Sequence, residues 1–225
     1  MTFSEKIDKT EANSEHKFYF AFSKAYIKGK KVLDVGSWTG PFEILIYDLA
    51  REITAVDIEE QALKVLKKNL PRVKTVKAPS HKLPFADKTF DAICFFDVIE
   101  HIPQGYELAT LLEMNRVLKR GGYLFLATVN KSFWADLLDP AYWLAGHRHY
   151  AKEQLTSMLK DSGFSVEKVK KTGSFFTSLY AVSFYIFKHI FRMELPKINL
   201  IEKKMEKDMM SPGFTQIAIR ARKKD

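Results

Sequence analysis

Between residues 31 and 162 the chain alternates short, unbroken apolar runs with longer segments whose apolar residues recur every three or four positions. Runs such as Ile93 to Phe96 and Tyr123 to Leu126 are apolar at consecutive positions, the pattern of strands covered by helices on both faces. The alternation predicts strands near 31–36, 52–57, 72–77, 90–96 and 121–129, and helices near 41–51, 59–69, 106–119 and 151–162. The economical fold is α/β: a doubly wound, mainly parallel sheet. Right-handed crossovers then place any ligand at the carboxyl ends of the strands, beside the loops after the first, second and fourth. No fixed-period repeat interrupts the series.

The pattern changes after residue 172. Phe175 to Phe187 contains no charge, and Phe176, Tyr180, Phe184, Phe187 and Phe191 recur at spacings of four, four, three and four, which predicts a helix over 175–191 with one aromatic stripe. The uncharged run is too short to span a bilayer, which needs about twenty residues. Lys188, Arg192, Lys197, Lys203, Lys204 and Lys207 follow it. Such a segment either packs on the domain or a dimer partner, or meets a lipid-like acceptor or the membrane surface. The 225 residues therefore read as a single domain, with an N-terminal helical cover (1–30), a cofactor-binding core (31–172), an apolar and basic helical insertion (173–212) and a final strand with tail (213–225).

Charge narrows the partners only a little. Thirty-six Lys and Arg against 27 Asp and Glu leave a net +9, which suits acidic substrates or anionic lipid. The basic residues are dispersed, so no nucleic-acid partner is expected. Cys94 is the only cysteine; a disulfide or cysteine metal cluster within the chain is excluded, and an apolar setting makes it a core residue. The segment Met1 to Asp8 mixes charges early and offers no apolar signal core, so the expected location is cytoplasmic, at most peripheral to the membrane.

The chemistry starts at Val32-Leu33-Asp34-Val35-Gly36-Ser37-Trp38-Thr39-Gly40-Pro41, an apolar strand running into a Gly-bounded turn and a Pro-initiated helix. Gly36 and Gly40 let the backbone bend and approach a ligand, and Asp34 can hold an ammonium. Alone, this is also how an ordinary strand-to-helix turn reads. The second strand, however, ends at Asp57, seventeen positions after Gly40, where a carboxylate can accept both ribose hydroxyls of a nucleoside or simply cap the next helix. Gly36-x-x-x-Gly40 lacks the Gly-x-Gly-x-x-Gly arrangement of nicotinamide-binding dehydrogenases. Leu83-Pro84-Phe85, Phe90-Asp91 and Asp97-Val98-Ile99-Glu100-His101 follow in order, then Val117-Leu118-Lys119-Arg120-Gly121-Gly122 and Ser162-Gly163-Phe164.

This ordered set resembles the class I S-adenosylmethionine-dependent methyltransferases with a seven-stranded, Rossmann-like sheet, especially the type 11 small-molecule family, over residues 15–172. The resemblance implies S-adenosylmethionine as cofactor, with Asp34, Gly36 and Gly40 around its methionine part and Asp57 on its ribose. Ser37, Ile58, Ser80, Asp97 and Val98 complete the expected cofactor set, and the loop from Asp97 lines the methyl-transfer site. Two positions depart from the family: Trp38 stands where glycine is common, and Pro79-Ser80 replace the usual acidic residue near adenine.

For a hydroxyl acceptor a general base helps, and His149, His101 and His147 are the candidates, His149 first because Gly146 to Glu153 precedes a predicted helix where the family often places acceptor-facing residues. Structural packing is the competing role for these imidazoles. Asp97-x-x-Glu100-His101 resembles the metal-associated motif of ubiquinone-pathway O-methyltransferases, but metal-free relatives share the Glu-His pair, and no metal is expected. Trp134, Tyr142 and Trp143 either wall an acceptor pocket or pack. Glu15-His16 and Phe20-Ala21-Phe22, followed by Gly29-Lys30-Lys31-Val32, resemble methyltransferases of cell-surface glycan assembly, although their frequent Arg-Tyr pair is Tyr19-Phe20 here. The expected activity is methyl transfer to oxygen of a small-molecule, glycan or lipid-linked acceptor. A catalytically silent cofactor-binding or membrane-associated partner is the alternative.

Overall fold

A computed structural model describes residues 12–144, 146–189, 191–193 and 198–224. Asn13 starts the first helix, α1 (Ser14–Ile27), through a capping box: its side chain accepts the His16 N–H at 3.0 Å and His16 Nδ1 accepts the Asn13 N–H at 3.3 Å. There follow β1 (Lys31–Val35), α2 (Glu43–Ile46), β2 (Glu52–Asp57), α3 (Glu60–Asn69), β3 (Lys74–Lys77), β4 (Phe90–Phe96), α4 (Glu107–Val117) and β5 (Leu118–Val129). The second half holds α5 (Phe133–Leu138), α6 (Pro140–Leu144), α7 (Lys152–Asp161), β6 (Phe164–Thr172), α8 (Phe175–His189), α9 (Asn199–Met210) and β7 (Gln216–Lys223).

The seven strands lie in the order β3-β2-β1-β4-β5-β7-β6. β1 to β5 are mutually parallel, while β7 runs antiparallel to both β5 and β6. Alternation along each strand divides the core. Leu33, Ile93, Phe95, Leu124 and Leu126 pack on one face with Leu111, Met114 and Val117 of α4 and Leu155 and Leu159 of α7. Val32, Ala92, Cys94 and Phe125 pack on the other with Phe18 and Ile27 of α1, Leu66 of α3 and Met209 of α9. The order reverses between β1 and β4, so a crevice opens outside their carboxyl ends, where a doubly wound sheet binds its ligands.

Several boundaries differ from expectation for local reasons. The helix predicted over 41–51 contracts to α2, with its last turn diverted to neighbouring segments: the Arg51 N–H donates to Lys30 O at 2.9 Å in place of Tyr47 O, which accepts from Arg72 at 3.4 Å. β3 begins at Lys74 and β5 already at Leu118, which pairs with Phe90 ahead of an irregularity in the ladder. The final strand runs over 216–223. Among the described residues, the insertion before it contains two helices, α8 and α9, and two further short helices follow β5. Met1 to Asp8, Ile190 and Lys197 lie outside the described residues.

Candidate active site

The loops after β1 and β2 are joined by one carboxylate. Asp57, the last residue of β2, is buried; its Oδ2 accepts the Trp38 N–H at 2.7 Å and its Oδ1 the Glu59 N–H at 2.9 Å. The backbone thereby fixes the carboxylate and leaves each oxygen a further acceptor site. Trp38 adopts φ +50°, the left-handed region that glycine enters without steric cost, which explains why glycine is common at this position. Ser37 is buried beside it, and its Oγ has no hydrogen-bond partner among the described residues. Ile58 is an exposed aliphatic side chain on the β2 loop. Ser80 is buried, with its Oγ 3.2 Å from Thr110 Oγ1.

The other expected cofactor residues are held by protein neighbours. A Cβ on Gly36 (φ +85°) would stand 2.1 Å from Val98 Cγ2, and one on Gly40 (φ +99°) 2.9 Å from Leu66 Cγ. The loop after β4 therefore packs directly on the loop after β1 through Val98. Asp34 is buried next to Glu43 of α2; burial raises both carboxyls, Asp34 to about 7 with the Asp57 charge adding to it against a lowering contact from Glu43, and Glu43 well above its ordinary range with the Asp34 charge adding to it.

Beyond these loops lies a cavity of about 260 Å³. Glu15 of α1, Asp97, Glu100 and His101 after β4, Asp139 and His147 after α5, and Gln216 of β7 contribute its polar walls. Ala135 and Leu138 of α5, Ala181 of α8 and Val129 of β5 contribute apolar ones. Asp97, at φ +54°, accepts the buried Tyr19 hydroxyl at 2.9 and 2.8 Å on its two oxygens. Tyr19 in turn stacks on Phe96, with centroids 4.4 Å apart. Burial, then the neighbouring Glu15 and Glu100 charges, pushes the Asp97 carboxyl far up. Burial likewise raises Glu15, and it lifts Glu100 to about 7 although Thr128 Oγ1 donates to it at 2.9 Å.

The segment 146–150 braces this cavity. Arg148 pairs with Glu107 and donates to the carbonyls of Ile99 (2.9 Å), Glu100 (3.4 Å) and Ile102 in the loop after β4. The Tyr150 hydroxyl donates to Ile99 O at 3.1 Å. His149 is buried between two carboxylates, Nδ1 2.7 Å from Asp136 Oδ1 and Nε2 2.9 Å from Asp139 Oδ2. Against burial, which lowers its basicity, Asp139 and Asp136 raise it above its ordinary value. Both ring nitrogens are thus engaged, and the cavity is lined by His147 and His101 instead. Their rings are 4.5 Å apart, and His147 Nδ1 lies 3.8 Å from Asp139 Oδ2. Although burial would raise it, Asp139 is held below the ordinary carboxylate range by His147 and His149.

Sequence reasoning did not single out Tyr19, Asp139 or Gln216 as site residues. Asp139 offers a faint signal, eight and ten positions before two histidines; the other two are brought in by packing. No group of three or more His, Cys, Asp or Glu with metal-holding geometry occurs among the described residues.

A parallel α/β sheet with one reversed strand, β7, a fixed carboxylate after β2 and a cavity at the ends of β4 and β5 define a Rossmann-like nucleoside-cofactor fold. The methyltransferase domain family matches residues 9–169, and the chain belongs to that family, as a class I S-adenosylmethionine-dependent methyltransferase of the type 11-like kind. A protein of Mycobacterium tuberculosis named "probable S-adenosylmethionine-dependent methyltransferase" is 32% identical over 136 residues, 60% of this chain and 48% of its own length. A demethylmenaquinone methyltransferase of Staphylococcus aureus is 37% identical over 173 residues, covering 64% of this chain and 71% of its own. The chain spans about half the length of the mycobacterial relatives it matches. Among solved structures, a Pyrococcus horikoshii protein superposes with TM-score 0.65 at 20% identity, over 94% of this chain and 90% of that one. The cyclase SpnF superposes with TM-score 0.66 at 21% identity, over 93% and 81%. At these identities the structures share the fold alone.

Proposed function

We propose that the protein transfers a methyl group from S-adenosylmethionine to a hydroxyl of a small, amphiphilic acceptor, of the lipid-linked kind, seated in the cavity between α1, α5 and α8. The observation that carries this reading is the cavity itself, which joins Asp97 and Glu100 at the end of β4 to His147 and Asp139. The relatives support a small acceptor: they include the demethylmenaquinone enzyme above and a ubiquinone biosynthesis O-methyltransferase of Thiobacillus denitrificans, 27% identical over 65% of this chain and 69% of its own.

The residues present fit the cofactor. The orphaned Ser37 hydroxyl and the fixed Asp57 carboxylate offer hydrogen bonds to the nucleoside and its methionine arm, and Ile58 offers an apolar cover for the base. Gly36 and Gly40 keep the loop close, while Asp34, Ser80 and Val98 support the cofactor loops from beneath. Bound S-adenosylmethionine supplies an electrophilic methyl group. The chain aligns the acceptor oxygen with it, and Val129, Ala135, Leu138 and Ala181 keep water away. His147 takes the acceptor proton on Nε2, while Asp139, on its Nδ1 side, stabilises the resulting imidazolium. His101 sits beside it on the rim. The structural placement favours His147 over His149 as base, since both nitrogens of His149 are already bound.

The test is transfer of labelled methyl from S-adenosylmethionine into hydroxyl-bearing lipids and their water-soluble headgroups, with wild type and His147→Ala. The expected result is turnover lowered about 100- to 10,000-fold in the variant, the usual contribution of a general base, with cofactor affinity unchanged. Wild-type turnover in His147→Ala removes the base. Methylation of headgroups alone removes the lipid-linked acceptor.

A further inference from the structure

α8 is built inside out. The residues it turns inward are small and polar: Thr177 and Ser178 are 7% and 6% exposed, and both line the cavity. Four of its large apolar residues face outward, with Phe175 46% and Leu179 58% exposed and Phe184 and Ile186 exposed beyond them, while Phe176, Tyr180 and Phe187 are half-buried. A helix that merely covered a core would show the reverse arrangement. The inward orientation is fixed, because Asp208 of α9 accepts the N–H groups of Ser174 (2.9 Å) and Thr177 (3.2 Å) and pairs with both hydroxyls. The polar lining is therefore part of the structure.

The outward face continues onto α5 and α6, which pack against α8. Trp134 meets Phe175 edge to face, with centroids 5.1 Å apart. Phe133, Leu137 and Leu144 are exposed, and Trp143 is 65% exposed. Contiguous apolar exposure of this kind marks an interaction surface. It surrounds the cavity, since the inner sides of α5 and α8 supply Ala135, Leu138 and Ala181 to its wall.

We propose that α5, α6 and α8 form a docking face that seats the mouth of this cavity on an anionic bilayer surface. Charge identifies the occupant. The sequence of α8 contains no acidic residue, and exposed Lys188 and Arg192 close its carboxyl end. The acidic residues of the α5–α6 corner, Asp136 and Asp139, are turned inward onto His149. Exposed tryptophans at one end of the face, by Phe175, and cations at the other suit the headgroup boundary, where the rings enter the acyl layer and the charges meet anionic lipid. A second copy of the chain on a two-fold axis would instead bring the same cations together. No described helix is long and apolar enough to cross a membrane, so the contact is with the surface.

Docking is read without methyl donor or acceptor, so it stands or falls separately from the proposed reaction. The protein is sedimented with phosphatidylcholine vesicles and with vesicles that also contain phosphatidylglycerol. The expected result is retention on the anionic vesicles, weakened by salt, and a partition coefficient lowered about tenfold or more by Trp143→Ser with Leu179→Ser. An unchanged thermal shift with S-adenosylhomocysteine certifies that the variant folds. The proposal is overturned by wild type that stays in the supernatant with both vesicles, by a variant that binds as wild type does, or by a dimer in solution that the same substitutions dissociate.

Discussion

At the scale of single residues, the Asp34–Glu43 pair is the least comfortable feature of the fold. Both carboxyls are buried and adjacent, and burial disfavours the ionised form of each. Glu43 is raised above its ordinary 4.5 in the folded chain. Its proton is therefore held on folding and released on unfolding, so its stabilisation is full below 4.5 and declines as the pH rises toward the folded value. Glu43→Gln copies the protonated form without this dependence. The variant is expected to match wild type near pH 5 and to gain relative stability toward pH 8, by at most about 1.4 kcal/mol per pH unit. Urea denaturation at both pH values measures it; parallel curves would mean that Glu43 ionises normally.

At the scale of elements, the chain brings distant pieces together through the short segment after α6. Arg148 and Tyr150 hold the loop after β4, and His149 clamps the α5–α6 corner through Asp136 and Asp139. His149→Ala removes two charge-assisted hydrogen bonds, and about 1–3 kcal/mol of stability is expected to go with them. Because the folded His149 is more basic than its ordinary 6.5, this stabilisation is full below that pH and is lost as the pH rises through the folded value. The variant should thus fall furthest behind wild type near pH 6 and least near pH 9. A deficit independent of pH would point to packing alone. His149 also shows the limit of reading roles from sequence: its position next to a helix start was legible, but its two carboxylate partners depend on how α5 and α6 fold back. The strands β1, β2 and β4 were legible because buried parallel strands carry short runs of mostly apolar residues. β6 was not located, since as an edge strand it carries Glu167, Lys168, Lys170 and Lys171 among nine residues.

At the scale of the whole molecule, the loops proposed to hold the cofactor were legible as loops, because local turn chemistry after β1 and β2 writes Gly36, Gly40 and Asp57 into consecutive motifs. The cavity was not, because Glu15, Asp97, Asp139, Thr177 and Gln216 come from five separate stretches of chain and meet only through packing. This division decides which global experiment is informative, since a cyclase shares the fold and architecture alone does not fix the reaction. A ligand that binds only the folded chain raises its stability, by about 2.7 kcal/mol at a hundred times its dissociation constant. S-adenosylmethionine and S-adenosylhomocysteine are expected to raise the melting temperature in calorimetry, and NAD is expected to leave it unchanged, because the loop after β1 lacks the glycine spacing a dinucleotide pyrophosphate requires. Asp57→Ala should weaken the binding of either adenosyl compound by about 1–3 kcal/mol if the carboxylate holds the ribose. The same substitution frees the Trp38 and Glu59 N–H groups, so the melting temperature of the unliganded variant is measured alongside. A variant that loses intrinsic stability yet keeps full affinity would make Asp57 a brace between two loops, with the ribose held elsewhere.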